Sequence, residues 1–288
     1  MKTIIKSILP ARITLKLKEI KSVRSELKDI NRSLNILMNE RKINKNASQR
    51  EILKQSEFKI YSQSGIDGLL NYIFNKIGTI NRTFVEIGIE NGRECNTANL
   101  IMHNDWNGLM IEGNKKCVKE ALIYYNLFLN KIKIVNEFIT AENINSIIKS
   151  SGISGDIDLL SIDIDGNDYW IWKAVGIINP RVVVIEYNTF IGSETSTVIE
   201  YEQDFIRETT GDMRMYYGAS LKAFKELGMK KGYKLIGCDS FGCNAIFIRK
   251  DIFSFEEQTS RESYYLNTNM IDNPIGIDKI KQLGFTII

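Results

Sequence analysis

Along the middle of the chain, short apolar runs return at regular intervals, near 83–87, 108–112, 132–136, 158–163 and 182–187. The segments between them have the length and three-to-four-residue periodicity of helices. Strand and helix alternating in this way predict a parallel sheet with helices on both faces. A further helix is predicted over 219–231, stopping at Gly232, a residue suited to the position just past a helix end. Two more β runs, 233–238 and 244–249, are joined by a short polar link containing Asp239 and Gly242, which reads as a hairpin. Five parallel strands with a terminal hairpin are not the plain dinucleotide-binding arrangement.

Ahead of this body the pattern is different. Ile13, Leu17, Ile20, Val23, Leu27, Ile30, Leu34 and Leu37 recur at steps of three or four, predicting a long amphipathic helix. Such a helix can pair with a copy of itself as a coiled coil or lie along the body; its narrow stripe and lysine-rich polar face favour self-association, and so a homo-oligomer through this helix, or a partner. Residues 41–50 lose the stripe and read as a linker. Two parts follow: a basic helix and linker over 1–50, and an α/β domain over 51–288.

That division gives the charge its meaning. Residues 1–50 carry 13 Lys and Arg against 4 Asp and Glu, so the overall +3 hides a body of −6. A basic arm can meet phosphate, anionic lipid or an acidic partner, though a solvated helix face is the simpler reading. No nucleic-acid partner is expected. The 4 cysteines form no CxxC pair, and with 1 histidine a zinc site lacks ligands. They read as reduced thiols in a cytoplasmic protein. Residues 1–10 are too short in apolar length for a signal peptide, and no transmembrane segment is expected.

The candidate chemistry lies at the ends of the apolar runs. Glu86 closes the first, followed by Gly88 and Gly92, and Glu112 closes the second. The glycines remove Cβ where a turn is tight and a ligand approaches bare backbone, and the next helix is expected to offer its N-terminus. The first acid suits a cationic ligand. The second suits a ribose diol, because a carboxylate accepts from both hydroxyls. A ligand with both features is S-adenosylmethionine. Ile89 and Glu90 interrupt any G-x-G-x-x-G fingerprint, and Glu90 would sit badly beside a pyrophosphate.

Asp163, Asp165, Asn167 and Asp168 fall within six residues where the fourth strand ends, the rim at which open α/β sheets bind ligands. Asn167 or Asp168 can simply cap the helix starting near Tyr169, while Asp163 and Asp165 are too concentrated for capping alone. Gly166 and Ala174 stand at the wrong positions for an EF-hand. The next strand delivers Glu186 and Asn188 to the same rim, although Glu186 can also pair with Arg181. Asp163, Glu186 and Asn188 offer hard oxygens suited to Mg2+ or Mn2+; without metal, one carboxylate serves as general base. Tyr169, Tyr216 and Tyr217 are placed to cover a substrate, whereas Trp170 and Trp172 read as packing. His103, at a predicted helix end, reads as a partner of the helix dipole.

With these pieces assembled, the body resembles the FkbM-like S-adenosylmethionine-dependent methyltransferases of surface-polysaccharide biosynthesis. The matching pieces are 61–68, 84–88, 94–97, 108–113, 158–169, 180–188 and 217–221. The resemblance implies a class I, Rossmann-like fold: a mostly parallel seven-stranded sheet whose last strand runs antiparallel. It implies methyl transfer from S-adenosylmethionine to a hydroxyl of a small-molecule or glycan substrate. Glu86, Gly88 and Gly92 would line the methionine end, Glu112 would hold the ribose, and Asn96 and Thr97 would open the first helix beside the cofactor. The adenine would lie at 136–138, which includes Phe138. Asp163, Asp165 and Glu186 are the catalytic candidates. Ile66 stands where an acid is expected. A metal-dependent glycosyltransferase using Asp163 and Asp165 remains a competitor, as does a non-catalytic scaffold with a basic coiled-coil arm.

Overall fold

The structure, a computed structural model, describes residues 43, 44 and 46–288. The predicted coiled-coil helix, and the homo-oligomer expected through it, lie outside the described residues. The compact body begins at Asn44, ahead of the predicted boundary at 51. The reason is helix α1 (Gln49–Ser56), whose first turn is capped by the Ser48 hydroxyl accepting from the Glu51 N–H. The Gln49 side-chain amide donates to the carbonyls of Ile236 and Glu256, so this part of the predicted linker is tied to the body.

Nine strands follow: β1 (Thr83–Ile87), β2 (Asn107–Glu112), β3 (Ile132–Asn136), β4 (Gly155–Ile162), β5 (Ile178–Glu186), β6 (Thr197–Val198), β7 (Tyr233–Cys238), β8 (Asn244–Arg249) and β9 (Thr286–Ile287). Helix α2 (Ile66–Ile77) precedes β1, and between the strands run α3 (Ala98–His103), α4 (Lys115–Tyr124), α5 (Ile144–Ser150), α6 (Asp168–Ala174) and α7 (Leu221–Lys230). Seven strands form one sheet in the order β3-β2-β1-β4-β5-β8-β7. The pairs among β1 to β5 are parallel, and β8 is antiparallel to both its neighbours. The hairpin is therefore inserted with its second strand against β5.

Both faces of the sheet are buried, and the period-two alternation sorts side chains between two cores. Val85, Ile87, Leu160, Ile162, Val183, Ile185 and Phe247 enter one, with Trp172 and Phe224 from the helices. Phe84, Leu159, Val182, Val184, Ile246 and Ile248 enter the other, with Leu69 and Ile73 of α2. β4 and β5 extend further at their amino ends than the apolar runs suggested, because Asp156, Asn179 and Pro180 interrupt the hydrophobic signal there. Asp158 is fully buried in β4. It accepts from the N–H groups of Ile80, Asn81 and Arg82 and pairs with Arg181 at 2.9 Å, which fixes the lead-in to β1. Arg181 is thus the partner of Asp158, not of Glu186.

The end of the chain, from about Met270, packs into a third cluster that the hydrophobic pattern did not reveal. Ile280, Leu283 and Phe285 pack on Phe190, Ile199 and Tyr217, and β9 pairs antiparallel with β6. This returns the tail to the carboxyl-end rim of the sheet, beside the cleft described next.

Candidate active site

A cleft of about 770 Å³ opens along the carboxyl ends of the parallel strands, where strand order reverses direction between β1 and β4. That volume suits a drug-sized or cofactor-sized ligand. Among the described residues, eight carboxyl side chains line it, Glu86, Glu90, Glu94, Glu112, Glu137, Asp163, Asp165 and Glu186, against one cation, Arg207. Such a field favours a positively charged occupant.

At the end of β1, Gly88 has φ of +82° and its missing Cβ would lie 1.7 Å from the Asp163 carbonyl oxygen. The glycine thus lets the chain after β4 cross the turn. Gly92 (φ +79°) faces the other way: a Cβ would meet the Tyr125 ring at 2.8 Å, and the Tyr125 hydroxyl donates to its carbonyl at 2.7 Å. Gly92 does not reach the cleft wall. Glu86 is buried on that wall, and its carboxylate accepts from the backbone N–H groups of Asn96 and Thr97 and from the Thr97 hydroxyl. The expectation that the next helix offers its N-terminus to a ligand is therefore corrected: Glu86 takes N–H groups leading into α3. Thr97 stands behind Glu86, while Asn96 reaches the wall and donates to the Ser161 hydroxyl at 3.1 Å.

Glu112, at the end of β2, accepts from the Asn114 N–H at 2.7 Å and the Glu90 N–H at 2.8 Å. It thereby holds Glu90 at a φ of +47°, a left-handed conformation uncommon outside glycine. A carboxylate has about four acceptor sites, so two remain for a diol. Phe138 is exposed at the cleft mouth and its ring lies over Gly113, where a Cβ would come within 3.2 Å. This bare backbone beside an open ring suits a flat heteroaromatic group.

The turn after β4 is organised by Asp168. Its carboxylate accepts from the Ile164 and Gly166 N–H groups, each at 2.9 Å. Asp163 is half-buried on the wall, and Asp165 (φ +55°) pairs with Arg207. Arg207 comes from the 199–211 segment, stacks over Tyr217 with its guanidinium 3.5 Å from the ring centroid, and donates to the Arg214 carbonyl. Phe205 of the same segment packs where Gly166 has no side chain. Sequence reading missed Arg207 because its segment has no periodicity. It also missed Asn244, which looks like an ordinary strand start, and Asn267, Asn269 and Met270, which the tail brings to the cleft.

Asn188 does not join this wall. It is fully buried, its amide nitrogen donates to the carbonyls of Met215 and Tyr217, and its oxygen accepts from the Phe190 N–H. The oxygen trio of Asp163, Glu186 and Asn188 is therefore not assembled, and among the described residues no group of three or more His, Cys, Asp or Glu side chains is disposed to hold a metal ion. The residues present do not fit one. Tyr169, Trp172 and Tyr217 are buried packing residues, and Trp170 donates to the Ile199 carbonyl. The cleft aromatics are Phe138, Phe205 and Phe241. His103 closes α3 and lies 2.9 Å from the Tyr61 hydroxyl.

Crowding of acids raises their proton affinity. Burial, followed by repulsion from Asp165, Asp168, Glu86 and Glu90, pushes Asp163 well above the usual carboxylate range. Burial, followed by repulsion from Asp163, Asp165 and Asp168, pushes Glu186 well up, with Arg207 opposing. Glu86 is pushed to about 7 by burial, against the hydrogen bonds from Thr97 and Asn96.

No protein-family model matches the chain, and no curated protein is similar to it at a significant level. Among solved structures, a S-adenosylmethionine-dependent methyltransferase from Clostridium acetobutylicum aligns at 12% identity over 64% of this chain and 90% of its own, with a TM-score of 0.41. The N-terminal domain of EvdMO1 with SAH bound aligns at 10% identity over 70% and 97%, with a TM-score of 0.42. A SAM-dependent methyltransferase from Aquifex aeolicus aligns at 10% identity over 62% and 87%, with a TM-score of 0.38. The fold assignment rests on the strand order itself: a mostly parallel seven-stranded sheet with the antiparallel strand next to last, which is the class I methyltransferase arrangement.

Proposed function

We propose that this chain is an S-adenosylmethionine-dependent methyltransferase acting on a hydroxyl of a sugar or other polar glycan-linked group, of the FkbM-like kind. The observation that carries the reading is the cleft: among the described residues, eight carboxyl groups stand against one arginine at the switch point of a class I sheet. A sulfonium is a cation, and a nucleoside diphosphate is an anion that this field would repel. The sequence pieces behind the FkbM-like resemblance also converge. Six of them place residues on the cleft wall, among them Ser64, Glu86, Asn96, Glu112, Asp163 and Glu186, and the seventh supplies Tyr217 beneath Arg207.

In this reading Glu112 holds the ribose diol with its two remaining acceptor sites, and Phe138 with the bare Gly113 backbone flanks the adenine. Gly88 shapes the turn beside the methionine end, while Glu86 holds the backbone of Asn96 and Thr97 there. S-adenosylmethionine supplies an already activated methyl group, so the protein's task is alignment and management of one proton. Asp163 and Glu186 are the candidates to receive the acceptor's proton, since burial and mutual repulsion raise their proton affinity above that of an ordinary carboxylate. Asp165 fixes Arg207 at the cleft edge.

Titration calorimetry of the full chain with S-adenosylhomocysteine, UDP and GDP, each with and without Mn2+, tests the proposal. Binding of S-adenosylhomocysteine without metal is expected. Binding of a nucleotide with no response to S-adenosylhomocysteine would instead establish the glycosyltransferase reading.

A further inference from the structure

Three oxygens on the cleft wall are buried and have no hydrogen-bond partner: Asn167 Oδ1, Glu186 Oε2 and Asn244 Oδ1. Buried polar atoms are almost always paired, so a group of orphans on one cavity wall marks what an occupant must bring. Glu186 and Asn244 stand directly opposite each other in the antiparallel β5–β8 register. Side chains so paired leave the sheet on the same face, with Cβ atoms about 5 Å apart.

The orientation of the Asn244 amide is fixed by its neighbours. Its Nδ2 donates to Asp239 Oδ2 at 2.8 Å and to the Ser64 hydroxyl at 3.1 Å. Asp239 also accepts from Ser64 Oγ and from the N–H groups of Gly242, Cys243 and Asn244, so it serves only as an acceptor. A flipped amide would set oxygen against that carboxylate. Oδ1 is therefore the atom left without a partner, and it can only accept. Asn244 itself is 5% exposed, so bulk water does not supply the missing donor.

The pair also stands apart from the predicted ribose site. From Glu112 on β2 to Asn244 on β8 the sheet order crosses β1, β4 and β5, four strand spacings or about 19 Å. Arg207, the cation nearby, is already paired with Asp165 and stacked on Tyr217.

We infer that Glu186 and Asn244 form the acceptor-reading pair of this cleft, and that the group they take is uncharged or cationic and presents at least two hydrogen-bond donors, a diol or an amine. A carboxylate or phosphate would meet two lone-pair-bearing oxygens and the surrounding acids. The inference rests on the methyltransferase reading in calling this group the acceptor.

The test is saturation-transfer NMR on the full chain with S-adenosylhomocysteine present, using glucose, glucosamine and glucuronic acid as probes at up to tens of millimolar. Glucose or glucosamine should bind at least about tenfold more tightly than glucuronate. Glucosamine alone would identify an amine as the favoured donor, and equal binding of the two would identify the hydroxyls. N244A should weaken the bound sugar about tenfold, and E186Q, which keeps the shape, should narrow the gap to glucuronate increasingly as pH rises and the wild-type Glu186 gives up the proton that burial helps it hold. Both variants should keep the wild-type affinity for S-adenosylhomocysteine, which also reports folding. Should N244A fail to fold, E186Q and the wild-type discrimination decide. Glucuronate binding as well as glucose, no binding of any probe, or discrimination unchanged by E186Q at every pH tested overturns the inference. Loss of S-adenosylhomocysteine binding by the wild type would instead overturn the proposed function.

Discussion

Glu86 shows how one side chain links the strand, the cleft and the pH response. Burial raises it from its ordinary 4.5 to about 7 while Asn96 and Thr97 donate to it. As pH rises, the unfolded chain releases this proton first, so between 4.5 and about 7 the folded state holds one proton more and stability falls. Below that window the contribution is fully present, and above it the contribution is gone. The whole excursion amounts to about 3 kcal/mol. Glu86→Gln cannot titrate, so the wild-type advantage over it in urea unfolding should shrink by that amount across the window. A difference independent of pH would show that Glu86 titrates normally. At this scale the sequence was readable for residue type and less so for reason. Gly88 and Gly92 were recognisable as turn glycines, yet the contacts that exclude a side chain are the Asp163 carbonyl and the Tyr125 ring. Neither neighbour is near in sequence.

Elements were legible wherever a strand is buried on both faces. Val182, Val183, Val184 and Ile185 form a continuous apolar run because alternate residues enter different cores, and that run can hardly be anything but a central strand. Polar strand ends such as Asp156 and Asn179 carry no such mark. The tail was invisible for a related reason: its apolar residues are few and pack on Phe190 and Tyr217, distant in sequence, so no local period records the contact. The 163–168 turn lies between these cases. Its acids stood out, but their division of labour came from geometry: Asp168 holds the Ile164 and Gly166 N–H groups, leaving Asp163 on the wall and Asp165 on Arg207. Asp168→Asn would set an amide N–H against one of those donors. It should destabilise the chain by about 1–3 kcal/mol in urea unfolding and speed hydrogen exchange at Ile164 and Gly166. Wild-type exchange at both amides in a stable D168N variant would show that the turn holds without this carboxylate.

For the molecule as a whole, the uneven distribution of charge is the feature with the most direct consequence. The arm over 1–50 carries +9 and the rest −6, and eight acids of the body gather where the parallel strands end. With Arg207 the one opposing cation among the described residues, the cleft should distinguish two ligands that differ by a methyl group and a unit charge. S-adenosylmethionine has the sulfonium; S-adenosylhomocysteine is the same molecule without that charge. Their shape-dependent contacts are nearly alike, so their affinity ratio isolates the electrostatic term. Added salt screens that term for the partly open portion of the cleft, since the Debye length falls from about 10 Å at 0.1 M to about 3 Å at 1 M. Raising salt over that range should weaken S-adenosylmethionine about two- to fivefold more than S-adenosylhomocysteine, measured by calorimetry at pH 8, where more of the carboxyl groups are ionised. The excess should diminish toward pH 5, as groups with raised proton affinity, Glu86, Asp163 and Glu186, retain their protons. Equal salt dependence for the two ligands at both pH values would mean that the acids do not act on the sulfonium, and the charge argument for this cofactor would fail even if both ligands bind.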